Sequence, residues 1–170
     1  MKKNVILMGF MGSGKTSTGL ELSKKTGLPL LDTDRMIEDR AGKTISRIFA
    51  EDGEEAFRQM ETQLLENLCL EDEVFVISIG GGMPVREKNR LLIKKLGTVI
   101  YLMASDEVLV DRLEGDSIRP LLAKGDLKQR IRLLKAEREQ IYRSLADFTV
   151  DTDHKDPAAA AEEISTLLSL

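Results

Sequence analysis

Five short apolar runs recur along the chain, and stretches with helical periodicity separate them. None of the runs alternates strictly between apolar and polar residues, which is typical of strands buried on both faces of a parallel sheet. Parallel neighbours need crossover connections, usually helices, so this order predicts an α/β chain folded as one three-layer domain. The runs are residues 5–8, 29–31 (ending at Asp32), 74–79, 98–102 and 148–150.

Helical spacing of apolar residues predicts helices at 15–26, 54–70, 128–145 and 157–170. The first is expected to stop at Gly27. The last begins with Asp156 as the expected N-cap and Pro157 at the first helical position. Open parallel sheets bind ligands at the carboxyl ends of their strands, so the loops after the apolar runs are the places where chemistry is expected.

Composition and charge exclude several classes of protein. The 170 residues are 42 % hydrophobic and 32 % charged, as in an ordinary globular domain. The net charge of −4 offers no basic surface to nucleic acid or to an acidic membrane. One cysteine, Cys69, permits no intramolecular disulfide, and with the single His154 it cannot supply a zinc site. The apolar run at 5–8 is too short for a signal peptide or a membrane span, so we expect a cytoplasmic protein.

Residues 9–16, Gly-Phe-Met-Gly-Ser-Gly-Lys-Thr, fit the G-x-x-x-x-G-K-[ST] pattern of a phosphate-binding P-loop, between a predicted strand and a predicted helix. Glycines let successive backbone N–H groups point at phosphates, and the helix adds its positive end. Lys15 is expected to neutralise the β- and γ-phosphates of ATP, and Thr16 to ligate Mg²⁺. A GTPase would carry Asn-Lys-x-Asp after a later strand. The nearest segment, residues 123–126, lacks the Asn, which favours a small kinase.

Two carboxylates, Asp32 and Asp34, follow the second apolar run. If the chain stays extended they point the same way. One would then hold a Mg²⁺-bound water, and the other would orient an acceptor hydroxyl and take its proton. The alternative is a helix N-cap, because Asp34 precedes a helical stretch at 35–38, and both roles are compatible.

Three further features have binding and structural interpretations. The glycines at 80–82 offer bare backbone N–H groups and room for a ligand, although a flexible turn is the alternative. Arg119 precedes Pro120 in a polar stretch, which favours a lid that brings Arg119 to the transferring phosphate, although a plain surface loop is the alternative. From spacing alone, Arg58 and Arg138 are better explained as solvent-exposed helix arginines.

Taken together, these segments make the chain resemble shikimate kinases over essentially its whole length. The P-loop is shared by many NTPases, whereas the other segments in combination are far more specific. Gln140 departs from the family, which usually has proline two residues after the helix arginine. The change should leave a more continuous helix and keep Arg138 in the site. The matching segments are residues 9–16, Asp32-Thr33-Asp34, Phe57-Arg58 with Glu61, residues 80–82, Arg119-Pro120-Leu121-Leu122, and Arg138 with Tyr142 and Ala146-Asp147.

The resemblance implies a nucleoside-monophosphate-kinase-like P-loop NTPase fold, with five parallel strands in the order 2-3-1-4-5, flanking helices and a lid loop. The implied reaction transfers the γ-phosphate of ATP to the 3-hydroxyl of shikimate, in the route to chorismate and the aromatic amino acids. We expect a monomer that uses one Mg²⁺ per subunit and binds neither nucleic acid nor membranes. The single domain, 1–170, would comprise a core (1–33, 74–112, 127–170), a shikimate-binding part (34–73) and a lid (113–126).

The resemblance also assigns roles that spacing leaves undecided. Arg58 and Arg138 would grip the carboxylate of shikimate, and Asp34 would hydrogen-bond its hydroxyls and act as the base. Asp32 would reach the metal through a water, beside Thr16. The implied substrate-binding residues are Asp34, Arg58, Gly80, Gly81, Gly82 and Arg138. The implied ATP-binding residues are Gly12, Ser13, Gly14, Lys15, Thr16, Ser17, Arg112, Arg119 and Lys155, and the implied catalytic residues are Lys15, Asp34 and Arg119.

Two other functions compete with this interpretation. One is another small-molecule kinase of the same fold, acting on gluconate or a nucleoside monophosphate. Two arginines facing Asp34 suit a carboxylated polyol better than a nucleobase, and charge alone leaves gluconate open. The other is a nucleotide-binding regulator without catalysis. Asp34 and Arg119 argue against it, because a protein that only binds nucleotide needs neither a base nor a lid arginine.

Overall fold

A computed structural model describes residues 3–114 and 126–170 of the chain. Within those residues, five parallel strands form one sheet in the order β2-β3-β1-β4-β5. Each predicted apolar run overlaps one of these strands, and the order implied by the family resemblance is confirmed. The strands are β1 (Asn4–Met8), β2 (Leu30–Asp32), β3 (Val76–Ser78), β4 (Gly97–Met103) and β5 (Phe148–Asp151).

The described helices are α1 (Lys15–Thr26), α2 (Thr33–Ala41), α3 (Ile45–Glu51), α4 (Glu54–Leu68), α5 (Glu87–Leu96), α6 (Asp106–Leu113), α7 (Leu127–Leu145) and α8 (Pro157–Leu168). Periodicity predicts α1, α4, α7 and α8 nearly to their ends, and the expected N-cap of α8 is confirmed, since Asp156 accepts a hydrogen bond from the Ala159 N–H. It does not predict α3, α5 or α6, and α2 was anticipated only as a helical stretch at 35–38. The Thr44 and Ser105 side chains cap α3 and α6, so local hydrogen bonds help to define them where periodicity is weak.

Helices cover both faces of the sheet, as a three-layer domain requires. Successive side chains of a strand point to opposite faces. In β1, Val5 and Leu7 belong to the apolar cluster that α1 and α8 complete, whereas Ile6 and Met8 belong to the cluster completed by helices that include α4, α5 and α7. The centre of the sheet is therefore buried on both sides, as its unbroken apolar run predicts.

The edge strands depart from this pattern. In β5 only Val150 is buried, and Phe148 remains 37 % exposed, so the prediction of burial on both faces is wrong for this strand. An edge strand has a neighbour on one side alone, and the side chains of β5 are more exposed than those of β1. Across residues 3–114 and 126–170, no helix has both the length and the apolar character needed to cross a bilayer.

The register of the sheet brings three strand ends to one edge. Ser78 of β3 pairs with Leu7 of β1 on one side and with Asp32 of β2 on the other. The P-loop leaves β1 at this edge, Asp32 closes β2, and the glycines at 80–82 follow β3. Three segments far apart in the sequence thereby become neighbours.

Candidate active site

The P-loop joins β1 to α1 in a backbone conformation that depends on glycine. Gly12 and Gly14 have φ of 79° and 91°, a left-handed region that residues with a side chain rarely adopt. Gly14 is also the N-cap residue of α1. Since it has no side chain to cap the helix, the first N–H groups of α1 are left for a ligand, which makes this end an anion site.

A cavity of about 350 Å³ opens over the P-loop. Its far wall comes from the end of α6 and from the segment between β5 and α8. All the residues predicted to bind ATP within the described part of the chain line this one cavity, whereas Arg119 lies outside the described residues. The lining residues are Gly12, Ser13, Gly14, Lys15, Thr16, Ser17, Thr18, Arg112, Thr152, Lys155, Asp156, Pro157 and Ala160.

Lys15 is held over its own loop. Its Nζ donates hydrogen bonds to the carbonyl oxygens of Gly9 and Phe10, at 2.9 and 3.0 Å. The ammonium group therefore lies across the P-loop, beside the backbone N–H groups that would face phosphate oxygens. A compact cation in this position matches the role predicted for Lys15 at the β- and γ-phosphates.

The two carboxylates after β2 face different places. Asp32 accepts a 2.7 Å hydrogen bond from the Thr16 hydroxyl through Oδ2. Through Oδ1 it accepts from the N–H groups of Asp34 and Arg35, so Asp32, and not Asp34, is the N-cap of α2. The assumption of an extended chain is also wrong, because α2 begins at Thr33. This turn separates Asp32, which is beside Thr16, from Asp34, which lines a second cavity.

The second cavity, of about 310 Å³, lies at the same edge of the sheet. It is lined by every residue predicted to bind the acceptor, namely Asp34, Arg58, Gly80, Gly81, Gly82 and Arg138. The P-loop contributes Met11 to the same cavity, and Phe49 and Phe57 add an aromatic wall with ring centroids 5.0 Å apart. Charged groups therefore face an apolar surface, an arrangement suited to a small ring that carries polar substituents.

Both arginines are more buried than spacing alone indicates, so their interpretation as solvent-exposed residues is wrong. Arg138 is 4 % exposed, and its guanidinium lies 5.9 Å from the ring centroid of Phe10. The Arg58 side chain is 12 % exposed and donates a 2.7 Å hydrogen bond to Glu61. Buried arginines are costly unless they are paired or bind an anion, which makes both residues candidates for holding a carboxylate.

The glycines at 80–82 allow these groups to come close. A Cβ atom at Gly80 would lie 2.6 Å from Asp34 Oδ1, and one at Gly82 would lie 2.6 Å from both terminal nitrogens of Arg58. A side chain at either glycine would force the charged end of Asp34 or Arg58 to move from this position. The turn is therefore in direct contact with the charged residues of the cavity, which favours the binding interpretation of the glycines over a flexible turn.

Comparison with known proteins agrees with this geometry. The family model described as shikimate kinase matches residues 11–169. The chain belongs to the shikimate kinase family. It is 41 % identical over 164 residues to shikimate kinase of Neisseria meningitidis serogroup C, covering 96 % of this chain and 93 % of that one. It is 40 % identical over 169 residues to shikimate kinase of Coxiella burnetii, covering 96 % and 94 %.

A solved structure of a shikimate kinase also matches the fold closely. Shikimate kinase from Acinetobacter baumannii, in complex with shikimate, superposes with a TM-score of 0.93 at 36 % identity, covering 98 % of this chain and 93 % of that one. The predicted fold class, a P-loop NTPase kinase, is therefore confirmed, and so is the enzyme class.

In this shikimate kinase family member, Glu61 is a buried carboxyl group to which sequence reasoning assigned no role. Its side chain is 1 % exposed and accepts the hydrogen bond from Arg58. The pKa of Glu61 is raised to about 7, because burial and the charge of Asp34 outweigh the lowering effect of the arginines at 58 and 138. Its spacing of three residues from Arg58 on one helix is the sequence signal that indicates the pair.

Thr152 is a second residue of the kinase that sequence reasoning missed. Its hydroxyl lies 3.3 Å from the carbonyl oxygen of Ser13, and its own carbonyl accepts a 2.9 Å hydrogen bond from Arg112. Arg112 also donates to the carbonyl of Gly12, at 3.1 Å. These contacts tie the P-loop to α6 and to the segment after β5. The available signal was position, since Thr152 directly follows a strand at the ligand-binding edge.

Proposed function

We propose that this kinase transfers the γ-phosphate of ATP to the 3-hydroxyl of shikimate, giving shikimate 3-phosphate and ADP on the route to chorismate and the aromatic amino acids. The observation that carries the proposal is the meeting of Asp34, Arg58 and Arg138 in one cavity beside the P-loop. Membership of the family and the shikimate bound by the Acinetobacter baumannii relative support it.

On the acceptor side, the two arginines bind the carboxylate of shikimate, since guanidinium groups form paired, charge-assisted hydrogen bonds with such anions. The aromatic wall of Phe49 and Phe57 packs against the ring. Asp34 hydrogen-bonds the acceptor hydroxyl and accepts its proton. The hydroxyl oxygen then forms a bond to the γ-phosphorus as the bond from that phosphorus to the β,γ-bridging oxygen breaks, and ADP leaves.

On the nucleotide side, the N–H groups of the P-loop and the start of α1 bind the phosphates, and Lys15 neutralises the charge on the transferring group. The adjacent Thr16 hydroxyl and Asp32 carboxylate are hard oxygen groups that fit Mg²⁺, an ion that retains waters and binds substrate phosphates. We assign Thr16 as a direct ligand and Asp32 as a partner of a metal-bound water. When bound, Mg²⁺ neutralises charge on the β- and γ-phosphates.

The remaining assignments complete the proposal. Arg112 and Lys155 line the nucleotide cavity on the side of α6 and α8, which supports our assignment of both residues to the adenine. Arg119 acts as the lid arginine. The single domain comprises the core, the shikimate-binding part and the lid with the bounds predicted from the sequence. The kinase acts as a cytoplasmic monomer. It has no nucleic-acid or membrane partner, as the net charge of −4 predicts.

The test is an ADP-release assay with shikimate, gluconate and nucleoside monophosphates compared side by side. We expect turnover with shikimate alone, and phosphorus NMR of the product should show a phosphate ester at the 3-position. Turnover with gluconate but not shikimate would reassign the substrate. Nucleotide binding without ADP release for any acceptor would instead favour a regulator without catalysis.

A further inference from the structure

Tyr142 connects two parts of the acceptor cavity. It lies on α7, four residues beyond Arg138, and is fully buried. Its hydroxyl donates a hydrogen bond to the carbonyl oxygen of Gly81. Burial raises the pKa of Tyr142 to about 12, an increase that the nearby Arg138 guanidinium opposes. The hydroxyl group therefore holds the glycine turn and lies, with the substrate-facing Arg138, against the same glycine.

Gly81 lies where the acceptor cavity meets the P-loop. A Cβ atom at Gly81 would lie 3.2 Å from the carbonyl oxygen of Gly9, 3.4 Å from the Tyr142 hydroxyl oxygen and 3.6 Å from Arg138 Nη1. The turn is thus packed between the first residue of the P-loop and the groups from α7. Any shift of Gly81 would change the distance between the phosphate-binding backbone and the acceptor-binding groups.

The Tyr142 ring itself has little freedom to move. It packs against the ring of Tyr101 on β4, with centroids 5.3 Å apart and planes tilted by 47°. Both side chains are essentially inaccessible to solvent. A tyrosine needed only for packing would require its ring alone, whereas here the hydroxyl is directed at backbone and side-chain groups of the site.

We infer that Tyr142 is a positioning residue for phosphoryl transfer, whose hydroxyl holds the Gly81 turn and Arg138 at the spacing from the P-loop that in-line transfer needs. Phosphoryl transfer depends on such placement, and displacements of about 1 Å reduce rates by roughly a hundredfold. The inference rests on the proposed function, because it assumes that the acceptor is bound between Arg138 and the glycine turn.

The test compares Tyr142→Phe with the wild-type kinase. This variant keeps the ring and removes the hydroxyl. We expect the KM for shikimate to rise about tenfold and kcat to fall about tenfold, since a hydrogen bond to a charged group and the position of the turn are lost together. The dissociation constant of ADP should change less than about twofold, because no group in the nucleotide cavity is altered.

Tyr101→Phe is the matched control, because it removes a hydroxyl from the adjacent buried tyrosine. It should leave both shikimate constants near the wild-type values. If Tyr142→Phe also has wild-type constants, the inference is overturned. It is equally overturned if Tyr142→Phe weakens ADP and shikimate binding by the same factor along with a lower melting temperature, since that pattern indicates a structural role only.

Gly81→Ala tests the same spacing from the other side and remains informative if Tyr142→Phe does not fold. The added methyl group would press on the Gly9 carbonyl oxygen, so kcat with shikimate should fall while ADP binding persists. Unchanged turnover in Gly81→Ala would contradict the inference. If the wild-type kinase does not turn over shikimate, the proposed function is overturned together with this inference. If the wild type is active and the variants have wild-type constants, this inference alone is overturned.

Discussion

The hydroxyl group of Thr16 donates a 2.7 Å hydrogen bond to the carboxylate of Asp32. This contact connects the first turn of α1 with the end of β2. The two strands that lead to these segments, β1 and β2, do not pair with each other, because β3 lies between them. The same carboxylate caps α2 with its other oxygen. Asp32 therefore combines a structural role with a position beside the hydroxyl proposed as a metal ligand.

The two roles of Asp32 are separable by mutation. Asp32→Asn keeps an oxygen that caps α2, because asparagine is as good an N-cap as aspartate, but it removes the negative charge beside Thr16. We expect the Mg²⁺ concentration for half-maximal activity to rise by about tenfold or more, with thermal stability nearly unchanged. Asp39→Asn, which removes an exposed charge from the same helix, is the control and should leave the Mg²⁺ titration unchanged.

Asp34 is the proposed base, and Asp34→Asn should show this in kcat. The amide cannot accept the proton of the acceptor hydroxyl, so kcat should fall by about a hundredfold or more. The dissociation constant of ADP, measured by calorimetry, should remain as in the wild type. The reason is that Asp34 lines the acceptor cavity and not the nucleotide cavity. Normal turnover of shikimate by this variant would refute the assignment.

Arg58 should act mainly on acceptor binding. Arg58→Lys preserves the positive charge near Glu61 but loses the planar fork that pairs with a carboxylate. For Arg58→Lys we expect the KM for shikimate to rise about tenfold or more, with a smaller change in kcat. Arg58→Ala should raise this KM further, and it also leaves the buried Glu61 without its ion-pair partner. The control is Arg47→Ala, which removes an arginine of α3 whose side chain is 65 % exposed. It should leave the KM for shikimate unchanged. An unchanged KM in Arg58→Lys and Arg58→Ala would show that Arg58 does not hold the substrate.

Glu61 should make the stability of the kinase depend on pH. Its pKa is raised from 4.5 to about 7 in the folded state, so the native protein binds this proton more tightly than the unfolded chain. Ionisation therefore opposes folding increasingly as the pH rises from about 4.5 to about 7, with a constant effect above that window and none below it. Glu61→Gln, which cannot ionise, should gain in unfolding free energy relative to wild type over this window.

Urea unfolding of both proteins at several pH values from about 5 to about 8 measures this difference. The control is Glu54→Gln, which removes the exposed partner of the same arginine. A wild-type and Glu61→Gln pair whose difference in unfolding free energy is the same at every pH would contradict the assignment of Glu61 as the titrating group.

Elements with a strong pattern of their own were predictable. The apolar runs located the strands, and the periodicity of α4 and α7 located the long helices. Some of the missed segments depend on contacts with their neighbours. For example, α3 has seven residues, and a side-chain cap from Thr44 and burial of Ile48 accompany it. Its stability comes from contacts with other parts of the fold, which no local pattern records.

The site shows the same division. Residue spacing alone indicated exposed positions for Arg58 and Arg138, and only family resemblance assigned them to a substrate carboxylate. The fold buries both because α4 and α7, distant in the sequence, converge on the edge where β1 and β3 end. An extended chain was predicted to point Asp32 and Asp34 the same way, but the capping bonds of Asp32 start α2 and turn Asp34 toward the acceptor cavity.

By itself, the sequence determined the phosphate-binding loop. Gly12, Gly14, Lys15 and Thr16 lie within one short segment, so covalent connection and the backbone freedom of glycine are enough to bring them together. Only the tertiary structure decided the acceptor cavity, because Asp34, Arg58, Gly81 and Arg138 belong to four separate segments. Their meeting depends on strand order, register and helix packing, which are properties of the whole chain.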